Sequence, residues 1–296
     1  MSSGSAESYK GSAALPESVI PPVASRFVAG ETAAEALERA RRLDDRGVGT
    51  ILNRLGEHYE TRADADADAA AYRDLVDDIA GAGVRACVSA KPSQLGLGVS
   101  EAVFRENAAE VVGHAAANDV VVWFDMEDHT TTDATLAAYE ALAREHGGGV
   151  GVCVQANLER TPADLDRLAS VPGKVRLVKG AYDEPAAVAH TEKARVNEAY
   201  EDCLETMFRD FDGGVAVGSH DPAMIDRAAV LHAEYGTDYE VQMLMGVRED
   251  TQYDLAETVD VWQYVPYGGK WLSYFWRRVA ERRENLWFAL RAILSG

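Results

Sequence analysis

A set of polar residues recurs along the chain at a spacing that would let them meet: Lys91, Asp125, Gln155, Lys179, His220, Gln242 and Tyr264. Each stands at or just past the end of a short apolar run rich in β-branched residues. In a barrel of parallel strands such positions converge on one mouth, where cations, a carboxylate and amides can bind and orient a small ligand. Taken alone, these residues leave several chemistries open. Asp125, Glu127, Asp128 and His129 could offer a metal hard oxygen ligands and an imidazole. Glu127 and Asp128 equally suit the first turn of a helix, whose N-terminus favours negative charge. Ser219-His220-Asp221-Pro222 reads as a helix start, with Asp221 as N-cap and Pro222 at the first helical position. Arg277 and Glu281 have the spacing of an ordinary helical ion pair.

The elements that would position these groups alternate in kind. Apolar runs predict strands at residues 50–55, 84–89, 120–125, 150–155, 175–179, 215–218, 239–243 and 259–265. Between them, helical periodicity predicts helices at 70–80, 101–117, 132–145, 162–169, 186–209 and 222–234,. A leading helix is expected at 32–46 and a last one after Gly269. Eight such βα units fit a closed (β/α)8 TIM-like barrel better than an open sheet, because closure covers both edge strands. No Gly-x-Gly-x-x-Gly is present, and Gly147-Gly148-Gly149 has the wrong spacing and precedes a strand, so a dinucleotide fold is not supported,. The expected organisation is a flexible Ser/Ala/Gly-rich segment, 1–22, followed by one barrel domain over 23–296.

Composition narrows the partners. Lys and Arg number 29 against 49 Asp and Glu, a net charge of −20, which repels nucleic-acid phosphates and anionic membranes,. Dense acidic runs such as Asp64-Ala65-Asp66-Ala67-Asp68 suggest the halophilic acidic surface of a protein in a salt-rich cytosol, where like charges are screened,. Cys87, Cys153 and Cys203 are far apart and form no Cys-x-x-Cys, so they read as buried thiols in a reducing compartment,. With no signal-peptide pattern and no long apolar run, a cytoplasmic location is expected.

The local sequences then become identifiable. Val88-Ser89-Ala90-Lys91, Asp125-Met126-Glu127-Asp128, Val154-Gln155-Ala156, Arg176 through Tyr182, Ser219-His220-Asp221 and the closing Arg277-Arg278-x-x-Glu281 resemble the proline dehydrogenase family in order and spacing. The resemblance implies FAD as cofactor and L-proline or a related cyclic imino acid as substrate. It implies oxidation to 1-pyrroline-5-carboxylate, a hydride passing from C5 to flavin N5 and electrons moving on to a quinone. It assigns Met126, Gln155, Arg176, Lys179, Gly180, Ala181, Ser219 and His220 to the cofactor. Arg277 and Arg278 would grip the substrate carboxylate from a helix capping the mouth, since two planar guanidinium forks suit a carboxylate. Lys91 adds a third positive group, Asp125 faces flavin and substrate, Tyr264 packs over the substrate ring, and Tyr182 and Glu281 help hold the clamp. No metal is implied. A chain of this length leaves the product to a separate pyrroline-5-carboxylate dehydrogenase, and quinone reduction would bring the protein to the membrane periphery.

The sequence departs from the family pattern at Asn157, where an aromatic is common, at Pro92, and within residues 239–247. Two other classes compete with this reading: a metal-dependent barrel lyase or aldolase built on Asp125, Glu127 and His129, and a non-catalytic barrel that binds a small anion.

Overall fold

In the computed structural model, which describes residues 24–272 and 274, eight parallel strands close on themselves in sequence order. The strands are β1 Gly49–Arg54, β2 Ala86–Ala90, β3 Val122–Phe124, β4 Val150–Gln155, β5 Lys174–Val178, β6 Val215–Gly218, β7 Tyr239–Leu244 and β8 Asp260–Tyr267. Closure is direct: β1 pairs with β8 from Gly49 opposite Trp262 to Arg54 opposite Tyr267. Helix α1, Ala33–Asp44, precedes the barrel, and α2 Arg62–Ala82, α3 Glu101–Ala116, α4 Thr132–His146, α5 Thr161–Leu168, α6 Lys193–Asp210, α7 Pro222–Tyr235 and α8 Glu249–Ala256 follow successive strands. The N-terminal segment 1–22, all but the start of the helix expected after Gly269, and the residues Arg277, Arg278 and Glu281 lie outside the described residues.

Local chemistry sets many of the boundaries. Thr32 caps α1 in a reciprocal capping box with Glu35, Thr61 caps α2 and Ser100 caps α3,. Asp221 caps α7 as expected, accepting from Ala223 N at 3.2 Å, with Pro222 at the helix start. Left-handed glycines end α2, α4 and α7,.

The inside of the barrel is filled in layers, and this filling positions the site. At the lower end the indoles of Trp123 and Trp262 occupy the interior, admitted by glycines on neighbouring strands. A Cβ on Gly151 would fall 2.4 Å from the Trp123 ring, and one on Gly49 2.6 Å from Trp262. Ile51, Cys87, Trp123 and Ala216 form this inner cluster, separate from the larger core between strands and helices. The barrel is therefore a packed floor with an open top.

The structure lengthens one expected helix, shortens another and adds a third that was not expected. Helix α2 starts at Arg62 where the periodicity suggests 70, because its first buried positions are Ala65, Asp68 and Ala69, which carry no apolar signal. Helix α6 begins at Lys193 where 186 was expected. The preceding stretch is held as a loop by an antiparallel bridge between Leu158 and Ala189 and by His190 N donating to Asn157 O at 2.7 Å. Helix α8 has no counterpart in the sequence reading: it spans only 8 residues and buries only Gln252. Cys87, Cys153 and Cys203 are buried free thiols.

Most of the ion pairs are partly or largely exposed, as in Arg62 with Asp66 and Glu106, and each contributes little. Repulsion among the excess carboxylates should therefore dominate the surface term. Raising KCl from about 0.1 M to about 2 M should raise the thermal midpoint. A midpoint that falls in differential scanning calorimetry would refute the repulsion argument.

Candidate active site

Above the packed floor lies a cavity of about 540 Å³, open at the C-terminal ends of the strands. The first layer over Trp123 is the Arg176 side chain from the middle of β5. Its guanidinium carbon stands 5.1 Å from the Trp123 ring centroid and 5.8 Å from that of Tyr264. Only 5% of Arg176 is exposed, so its charge needs a partner. Asp125 provides it through an ion pair from Nη2 to Oδ1, while Nη1 donates to Gln242 Oε1 at 3.0 Å. Gln242 is oriented in turn by donating to Glu240 Oε1 at 2.6 Å, and Glu240 is paired with Lys174 near the barrel floor. A chain of charge-assisted bonds thus fixes the guanidinium from below.

Asp125 is the junction of the site. Ser89 Oγ donates to its Oδ1 at 2.7 Å, Tyr264 Oη donates to its Oδ2 at 2.6 Å, and Lys91 Nζ stands 3.7 Å from Oδ2. Burial alone would raise the carboxyl pKa, but Lys91, Arg176 and the two hydroxyl donors outweigh it and hold the pKa below its ordinary value,. Burial and the Asp125 charge push the Tyr264 phenol well above its usual range, so it remains a neutral donor. For Arg176, burial opposes the charge while the Cys153 sulfur and Asp125 favour it, and the guanidinium ends above its ordinary value. The result is a fixed cation at the bottom of the cavity.

One wall is backbone. Lys179-Gly180-Ala181-Tyr182 lines the cavity just past β5. Gly180 has φ +111°, and a Cβ there would fall 2.1 Å from Asn157 Oδ1. The Asn157 carboxamide therefore fills the space behind the strand end and leaves a bare peptide surface toward the cavity. Lys179 Nζ is anchored by Asn197 Oδ1 at 2.6 Å and Asp221 Oδ2 at 2.8 Å. The bond from Lys179 keeps the Asp221 carboxyl below its usual pKa. His220 lines the same cavity, its Nε2 accepting from Leu244 N at 3.2 Å.

Of the residues singled out in the sequence, Lys91, Asp125, Met126, Arg176, Lys179, Gly180, Ala181, Tyr182, His220, Gln242 and Tyr264 line this cavity. Gln155 and Ser219 stand behind it. Gln155 Nε2 donates to Glu127 O at 2.9 Å, and Ser219 Oγ accepts from Asp221 N at 3.1 Å. The side chains considered as metal ligands turn to separate partners. Glu127 accepts from Ser93 N and Oγ, both at 2.7 Å, His129 meets Glu184, and Asp128 Oδ1 accepts from Thr130 N at 2.9 Å. Among the described residues no three His, Cys, Asp or Glu side chains converge as a metal site would require.

The cavity also holds residues that the sequence reading passed over. Asn53, at the end of β1, donates its Nδ2 to Ser89 O at 2.9 Å and so braces the hydroxyl that supports Asp125. Setting the strand end at the apolar Leu55 hid this position, whereas the ladder ends at Arg54. Glu57, Cys153, Lys270 and Tyr274 line the cavity too. Cys153 is legible as a buried thiol only, and Glu57, Lys270 and Tyr274 lie past the strand ends and carry no strand-end signal.

Comparison with known proteins identifies the family and the fold. A family model described as proline dehydrogenase matches residues 36–291. The chain is 36% identical over 284 residues to the proline dehydrogenase of Deinococcus radiodurans, covering 93% of this chain and 91% of the relative. It is 34% identical over 277 residues to proline dehydrogenase 1 of Bacillus subtilis (strain 168), covering 92% and 91%. Among solved structures, proline utilization A from Bdellovibrio bacteriovorus, inactivated by N-propargylglycine, superposes with a TM-score of 0.80 at 22% identity, covering 87% of this chain and 32% of that one. That likeness carries the fold.

Proposed function

This chain belongs to the proline dehydrogenase family, and from that premise we propose that it is a flavoenzyme oxidising L-proline to 1-pyrroline-5-carboxylate, with FAD as its cofactor and a quinone as the final electron acceptor. The observation that carries the reading is the charged Arg176 guanidinium held at the floor of the cavity by Asp125 and Gln242.

The residues present suit a flavin. A cavity of about 540 Å³ is of ligand-binding size,. The peptide at Gly180 lines the cavity, and a Cβ there would collide with Asn157 behind it and displace that wall; Arg176 supplies fixed positive charge for a ring system that becomes more negative on reduction. Met126, Lys179, Gly180, Ala181 and His220 would hold the cofactor directly. Gln155 and Ser219 would act from behind, by fixing the Glu127 and Asp221 backbone. When bound, FAD supplies the two-electron acceptor that cleavage of the C5–H bond requires.

The chain's own contribution is binding and orientation. Lys91, with Arg277 and Arg278 by resemblance, would take the substrate carboxylate. Tyr264, pinned through its hydroxyl to Asp125, offers a neutral ring face to the pyrrolidine, and Tyr182 with Glu281 would brace the clamp. Such fixation converts an encounter into a unimolecular step. No residue is needed as a nucleophile. The substrate nitrogen must be neutral for its lone pair to form the imine, so the rate should rise with pH. The product then passes to a separate pyrroline-5-carboxylate dehydrogenase. No helix among the described residues is long and apolar enough to cross a membrane, and the proposed site of quinone reduction is the membrane periphery, reached from the cytoplasm.

The direct test is a visible absorbance spectrum of purified protein before and after anaerobic L-proline. Flavin bands that bleach on addition are expected. A flavin that stays oxidised would remove the substrate from the proposal, and a protein that takes up no flavin would remove the cofactor.

A further inference from the structure

Asp68 is a buried carboxylate that the proposed chemistry does not use. It lies on the first buried face of α2, only 3% exposed, and accepts three hydrogen bonds. The donors are Tyr59 Oη at 2.8 Å, Gln94 Nε2 at 2.6 Å and Arg54 Nε at 3.0 Å. The loop from β1 to α2 is pressed onto this cluster. A Cβ on Gly56, which lines the cavity, would fall 2.6 Å from Tyr59 Oη and 2.8 Å from Gln94 Nε2. Further along the loop, His58 N donates to Ser93 Oγ at 2.9 Å, and Ser93 is itself bound to Glu127. The Tyr59 hydroxyl is therefore held by Asp68, and the loop that carries the ring is tied down at His58.

What that ring supports is the chain leaving β8. Lys270 Nζ stands 4.3 Å from the Tyr59 ring centroid, and Lys270 lines the cavity. The next residue, Trp271, donates Nε1 to Glu31 Oε1 at 3.1 Å. Burial and the Asp68 carboxylate raise the Tyr59 phenol, so it stays protonated. A phenol donating to a carboxylate is polarised, which makes its ring face more attractive to an ammonium group.

We propose that Tyr59, set by Asp68, is a positioning residue that docks Lys270 and with it the cavity wall contributed by Lys270 and Tyr274, so that the β1–α2 loop helps to set substrate affinity. The inference rests on the reading that this cavity binds an imino acid beside a flavin.

The test is a double-mutant cycle on the flavin-loaded protein with Tyr59→Leu, Lys270→Met and the pair, read as KM for L-proline and as kcat. Tyr59→Leu should raise KM about tenfold while kcat changes less than about threefold, and Tyr59→Phe, which keeps the ring, should recover part of that loss. The two substitutions should be non-additive, because each removes the same contact. Additive effects, or a KM in Tyr59→Leu that matches the parent, would overturn the docking role. Hydrogen–deuterium exchange across residues 268–272 gives a readout independent of substrate: faster exchange in Tyr59→Leu supports docking, and equal exchange refutes it. A parent protein that does not respond to proline at all would instead defeat the functional reading, and the exchange result would still decide the docking.

Discussion

Asp125→Ala should be among the most damaging single substitutions in the chain, lowering stability by about 3–5 kcal/mol in urea unfolding, because it strands a buried guanidinium. The expectation follows from the arrangement around the carboxylate, which binds Arg176, Ser89 and Tyr264 and stands 3.7 Å from Lys91. Removing it leaves Arg176 with the Gln242 amide and two ring faces, none of which cancels a charge. Flavin uptake should fall in the same variant, since Arg176 would turn toward water. A loss below about 1 kcal/mol would mean that solvent in the cavity already satisfies the guanidinium, and the pair would then be dispensable.

The acid limb of stability checks the same contact by a second route. The Asp125 pKa is lowered in the folded protein by its cations and hydroxyl donors. A depressed carboxyl binds fewer protons when folded than when unfolded, so its stabilisation is complete above the unfolded carboxyl value, about 3.9, and is lost as pH falls through the lower folded value. Asp125→Asn, which cannot titrate, should flatten the difference in stability between neutral pH and about pH 3. An unchanged acid slope would assign the pH dependence to other carboxylates.

Much of this site could be read from the sequence because barrel geometry ties chemistry to strand ends. Locating the eight apolar runs was enough to bring Lys91, Asp125, Lys179, His220 and Tyr264 to one mouth, and these do line the cavity. The interior course of a strand was harder to read. Arg176 lies mid-strand, opposite Cys153 and Ala216, and alternation alone gives no reason for a cation to point inward there. Family resemblance implied a role for Arg176, and the structure shows what holds its guanidinium inside the barrel: Asp125 and Gln242. Loops were least legible. Tyr59, Gly56 and Lys270 have neighbours remote in sequence, and Asp68 looked like one more solvated acid in an Asp/Ala run although it is buried. Helix α8 escaped because a helix whose buried contact is a glutamine leaves no apolar period,. The alanines of the loop before α6 favour helix, whereas the bridge from Ala189 to Leu158 prevails in the fold,.

Gly180→Ala should weaken flavin binding about 10- to 100-fold, with a smaller loss of stability. Two separate costs act at this position. The backbone sits at φ +111°, where an L side chain is strained by about 1–3 kcal/mol,, and the new Cβ would lie 2.1 Å from Asn157 Oδ1. Asn157 does not yield easily. Asn157 is 7% exposed, and its backbone is bound on both sides, to Lys179 O at 3.0 Å and from His190 N at 2.7 Å. The strain is therefore relieved by moving the 179–181 peptides, which form the cavity wall. Titration of apoprotein with FAD, followed by quenching of flavin fluorescence, measures the consequence. The double variant Gly180→Ala/Asn157→Gly removes the clash and leaves the torsion, so it should regain only part of the affinity. Full recovery would make the contact the whole effect and φ irrelevant, while a Gly180→Ala protein that holds flavin as tightly as the parent would show that the cofactor does not lie along this wall.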